Sequence, residues 1–150
     1  MGSRNKSKEA TTWPEKLWDA PYWVIDLLPV QVPPQSEGQF FEVESMLLTG
    51  KGHTQLRRNF ADVLAKLSCY YNFRVYRGGK DKTVIRPKPE KLRKWVVGNG
   101  EHLCILVGST GAMMEVPTDS TCMTLYGPTP EILELVRHLA SASGLFVWKP

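Results

Sequence analysis

Cysteine is scarce in this chain, and its spacing suggests no pairing. The 150 residues hold three, Cys69, Cys104 and Cys122. An odd count without a C-x-x-C argues against a disulfide framework or a zinc site and for reduced thiols in the cytoplasm. Histidine is equally sparse, at His53, His102 and His138. Scattered singly, these residues offer no metal-ligand spacing, so neither a metal nor a cofactor is expected. Long apolar runs are missing too: none approaches the roughly 20 residues that cross a bilayer, and no membrane partner is expected. Met1–Lys8 is polar and basic with no apolar stretch behind it, unlike a secretory signal. Lys6 occupies the position where myristoylation after Gly2 requires Ser or Thr.

What the chain does contain is ordinary globular material, 42% hydrophobic and 23% charged. Residues 1–12 read as a flexible basic tail and 13–150 as a single α+β domain, large enough to fold without a metal or disulfide staple. The most legible stretch is Cys122 to Pro150. Cys122–Tyr126 reads as a strand, Gly127-Pro128 turns the chain, and Thr129 caps a helix with Pro130 at its first position. Gly144 releases that helix into a last strand, Leu145–Trp148. The helix points Ile132, Leu133, Leu135, Val136, Leu139 and Ala140 inward and Glu131, Glu134 and Arg137 outward.

Earlier in the chain, Tyr22–Leu28 is nearly continuous in apolar residues, as a strand covered on both faces would be. Gln39–Thr49 fits helical or strand spacing; helix is favoured, with Ser36 and Gln39 as a capping box. A firmer helix runs from Thr54 to about Tyr70. Leu56, Phe60, Val63, Leu64 and Leu67 share its buried face, and Arg57, Arg58, Asp62 and Lys66 face out. Phe73–Arg77 is a half-exposed strand, Thr83–Ile85 extends it as a hairpin, and Glu90–Val97 is a short helix. Leu103–Val107 and Ala112–Val116 form a buried hairpin. Without the inserted basic segment and extra hairpin, the order is β-α-β-β-α-β. That is the split arrangement of ferredoxin-like sheets, with Tyr22–Leu28 and Cys122–Tyr126 central and both helices on one face.

Candidate chemistry is thin. Arg74, Arg77, Lys80, Lys82, Arg86, Lys88, Lys91, Arg93 and Lys94 stand against only Asp81 and Glu90, a local +7 in a chain of net +4. Such a stripe, interleaved with Phe73, Tyr76 and Trp95, suits nucleic acid or another polyanion, or is simply a solvated flexible loop. Thr49-Gly-Lys-Gly-His-Thr54, with Lys51 and His53, could form an anion-binding turn but lacks the Walker spacing. Cys104 lies two residues from His102, yet no orienting third group is evident, and packing is the simpler account of that thiol. His138 reads as a surface residue. Asp26, inside an apolar strand, requires a partner or a pocket. Among the five tryptophans, Trp13, Trp18, Trp23 and Trp148 lie towards the chain ends, where they either seal the core or meet a partner. With no catalytic constellation, the expectation is a non-enzymatic binding domain for a protein partner or a second copy. The alternatives are polyanion binding along Arg74–Lys94 and a ligand or enzymatic pocket at Asp26.

Overall fold

The computed structural model describes residues 14–35 and 38–150, so the basic tail, Trp13 and the Ser36 cap fall outside it. The described strands are β1 (Tyr22–Asp26), β2 (Phe73–Arg77), β3 (Lys82–Ile85), β4 (Leu103–Val107), β5 (Ala112–Val116), β6 (Cys122–Tyr126) and β7 (Phe146–Trp148). Beyond a short helical turn at 14–17, the helices are α1 (Phe40–Leu48), α2 (Lys51–Leu67), α3 (Pro89–Arg93) and α4 (Pro130–Ala142). A wide π turn, Lys94–Gly98, extends α3.

All seven strands join one antiparallel sheet in the order β3-β2-β4-β5-β6-β1-β7. The chain is thus a mixed helix-and-sheet protein, with more strands than a four-stranded split unit contains. β1 and β6 are neighbours as expected, but Phe73–Arg77 pairs with β3 and β4 and stands three positions away from β6. The basic stretch is not a loose insertion. It forms β2, β3 and α3 and builds one end of the sheet.

Strand alternation decides which side chains meet the helices. Phe73, Val75, Leu103, Ile105, Val107, Ala112, Met114, Val116, Met123, Leu125 and Ile25 point to one face and join a core with Leu56, Phe60, Val63, Leu64 and Leu67 of α2. Ile132, Val136 and Ala140 of α4 complete it, so both long helices cover the same face. Each large aliphatic or aromatic side chain buried this way contributes about 1.5–3 kcal/mol. Thr129 caps α4 by accepting the Ile132 N–H at 3.2 Å.

Several local readings change. β1 stops at Asp26, and within it only Ile25 is buried, where a continuous apolar run had suggested burial on both faces. α2 starts at Lys51 rather than Thr54 and ends at Leu67. Gly52 permits the early start: a Cβ there would lie 2.7 Å from the Leu47 carbonyl oxygen, so only glycine lets α1 end this close to α2. Arg57 does not face out. It is buried, with Nε donating to Val96 O and the terminal nitrogens to Pro117 O and Glu101 O. Burial lowers the Arg57 pKa, and the three carbonyls provide the compensation that a buried cation requires.

Candidate functional site

The sheet face opposite α2 and α4 carries, among others, Tyr22, Val24 and Asp26 of β1, Cys122, Thr124 and Tyr126 of β6, Met113 and Glu115 of β5, and Cys104 of β4. Two groups on it hold chemistry.

The first lies at the end of β1. Asp26 stands opposite Cys122 on one side and Phe146 on the other. Its Oδ1 accepts the Leu27 N–H at 2.6 Å, which turns the chain out of the sheet. Beyond it, α1 spans an incompletely filled space of about 270 Å³ bounded by Asp26, Leu27, Leu28, Val32, Phe40, Val43, Glu44, Leu47 and Thr121. A second groove of about 460 Å³ continues over Val24, Pro33, Pro34, Phe41, Cys122 and Trp148, sharing Asp26 and Phe40 with the first.

Burial raises the Asp26 pKa against the pull of the Leu27 and Leu28 amides, and the Glu44 charge adds to the rise. The Trp148 indole lies near enough to ease the ionisation of that carboxyl, and its Nε1 is buried with no hydrogen-bond partner among the described residues. Among the described residues, no cation forms an ion pair with Asp26 or Glu44. A mostly apolar cavity with two carboxylates and one orphan donor is the usual makeup of a small-molecule site.

The second group was hidden in the sequence. The hairpin register sets Cys104 directly across from Glu115. His102 Nε2 lies 2.8 Å from Glu115 Oε2, and the Tyr126 hydroxyl donates to Glu115 Oε1 at 3.1 Å. The third group that Cys104 and His102 lacked is therefore Glu115, from the neighbouring strand. This is not an activated nucleophile. The Cys104 thiol is buried, and desolvation, reinforced by the Glu115 charge, pushes its pKa up to about 12. The His102 hydrogen bond, with help from Tyr126, holds Glu115 below the usual glutamate value.

The basic residues lie along the β2–β3 edge and α3. Arg74, Lys80, Lys82, Arg86, Lys88, Lys91, Arg93 and Lys94 are exposed, and Arg93 makes one long ion pair with Asp62, 3.8 Å. Arg77 instead turns to the core side, joined to Glu101 and stacked on the buried Trp95. The tryptophans do not form one patch. Trp18 is exposed, Trp23 carries Lys149 Nζ 4.5 Å above its ring, and Trp148 borders the groove. The 49–54 stretch is the α1–α2 turn, and two of its amides bond within it, Gly52 to Thr49 O and Thr54 to Gly50 O. His138 is on the surface beside Glu134, 3.2 Å away.

No family model, curated protein or solved structure matches this chain.

Proposed function

We propose that the chain is a non-enzymatic binding domain whose site is the cavity between α1 and the end of β1. The ligand is a small, largely apolar molecule bearing a positive charge. One observation carries this reading: Asp26 and Glu44 face an apolar space and pair with no cation among the described residues, beside the buried Trp148 indole N–H, which has no hydrogen-bond partner among those residues. An amine would supply the missing positive charge, and an acceptor group on the same ligand would satisfy Trp148.

The test is an NMR titration of the labelled full chain with benzylamine, toluene and benzoate, following the Trp148 indole resonance. The reading expects a saturable shift with benzylamine that Asp26→Asn abolishes, and little response to benzoate. No saturable shift with benzylamine would end it.

The strand order β7-β1-β6-β5 supports reading that part of the sheet as the ferredoxin-like β-α-β-β-α-β arrangement, with β2, β3, α3 and β4 elaborating its first crossover. The unpaired thiols Cys69, Cys104 and Cys122 support a reducing, cytoplasmic setting.

A second reading is polyanion binding along the basic edge. It is favoured because Arg74, Lys82, Arg86, Lys88, Lys91 and Lys94 are exposed along β2, β3, α3 and the connections that follow them, and make no ion pair among the described residues. The protein-partner reading draws on α1, where Phe41 and Met46 are 79% and 66% exposed. Strictly monomeric sedimentation would remove its self-association form.

A further inference from the structure

Glu115, His102 and Cys104 offer three different donor atoms, a carboxylate oxygen, an imidazole nitrogen and a thiol sulfur, all within 4.8 Å of one another. Ligands of a tetrahedral zinc ion, bound at about 2.0–2.3 Å, are separated by about 3.5 Å, so modest side-chain movement brings all three onto one ion. We propose that these residues form a divalent transition-metal site, of the kind that takes zinc, on the sheet face away from α2 and α4. It is separate from the Asp26 cavity.

Three features favour the assignment over an ordinary ion pair. The donors come from facing positions of one hairpin and its approach: β4–β5 register fixes Cys104 against Glu115, and His102 is the residue before β4. The site also has an outer shell. Tyr126 donates to the Glu115 oxygen that His102 does not use, and orients the carboxylate as outer partners of metal ligands do. A Cβ at Gly78 would lie 2.9 Å from His102 Nδ1, so glycine there lets the backbone pack against the imidazole edge and leaves Nε2 turned inward. Finally, the Cys104 sulfur is buried on the strand position directly across from Glu115, and a dication is the partner that would stabilise thiolate and carboxylate together. Metal binding would release the thiol proton to solvent, and thiolate, carboxylate and neutral imidazole would balance a 2+ ion. The His102 side chain, 37% exposed, gives the ion a way in.

The experiment is titration of the reduced full-length protein with Co2+ by absorbance, followed by displacement with Zn2+. A saturable thiolate-to-cobalt charge-transfer band at one equivalent, reversed by Zn2+, is expected. It should vanish in Cys104→Ala and persist in Cys69→Ala and Cys122→Ala. His102→Gln and Glu115→Gln, whose side chains are partly exposed, should keep the fold by circular dichroism and bind at least about tenfold more weakly. A band that survives Cys104→Ala, one that follows Cys69 or Cys122, or no band at all overturns the proposal.

Discussion

Arg77 and Glu101 meet through two hydrogen bonds of 2.9 Å, Nε to Oε1 and Nη2 to Oε2, while the same guanidinium lies 4.4 Å above the Trp95 ring. Asn99 adds a third bond to Oε2 at 2.9 Å. The carboxylate of Glu101 thereby fastens the loop before β4 to the end of β2. Of nine neighbouring basic residues, this one is structural, which separates the scaffold of the basic edge from the surface it offers.

Glu101→Gln should therefore destabilise the protein by about 1–3 kcal/mol near neutral pH. The Arg77 hydrogen bond holds the Glu101 pKa below its ordinary 4.5. A depressed carboxyl contributes its stability above the unfolded value and loses it as pH falls through the lower folded value. Urea midpoints of the two proteins should accordingly differ at neutral pH and converge in acid below 4.5. A constant gap across that window would mean that the ion pair is not the cause.

Arg57→Ala should be among the most damaging single changes, at about 3 kcal/mol or more. It leaves the carbonyls of Val96, Pro117 and Glu101 without their buried donor and opens a cavity under the π turn. Chemical denaturation measures it; a loss under about 0.5 kcal/mol, typical of surface sites, would contradict the burial of this side chain.

Asp26→Asn should raise stability near neutral pH, the reverse of the Glu101 case. Burial raises the Asp26 carboxyl above its ordinary 3.8, so folding favours its protonated form more than the unfolded chain does. That stability is present below 3.8 and is lost as pH rises through the folded value. The wild type should thus gain on the variant as pH falls. Thermal melts across this range that run parallel would show that Asp26 is solvated rather than desolvated.

Replacing Lys88, Lys91 and Lys94 together by Glu should leave the melting temperature nearly unchanged, since all three are exposed. If the basic edge binds single-stranded RNA, the same change should weaken retention and flatten its salt dependence by up to roughly three phosphate contacts. Equal retention by both proteins at low salt would rule that edge out.

Phe41→Ser should cost less than about 0.5 kcal/mol, because the ring is 79% exposed and α1 has no buried residue. Sedimentation of wild type and variant over a range of concentrations tests whether that ring joins two copies. Identical profiles would place any contact elsewhere.

The chain's local order is written in its spacing. Leu56, Phe60, Val63, Leu64 and Leu67 repeat at helical intervals and are buried together; Thr129 and Pro130 mark the start of α4; the two apolar runs of 103–116 pair as a buried hairpin. Each depends on residues a few positions apart, whose geometry backbone conformation sets directly. The larger pattern is different. That β2 borders β4 rather than β6, and that Arg57 turns inward, depends on segments roughly 30 to 60 residues apart, where many registers satisfy the same alternation. The candidate sites follow the same division. Asp26 was conspicuous as a charge within an apolar run, but only the placement of α1 and Trp148 around it makes a cavity. His102 and Cys104 were visible as neighbours, whereas Glu115 joins them solely because the β4–β5 register puts it across from Cys104. Sequence alone determined the elements and their buried faces, since those follow from short-range periodicity. Tertiary structure decided which strands are neighbours and which polar groups share a site, since one residue of register slip would send every side chain to the opposite face.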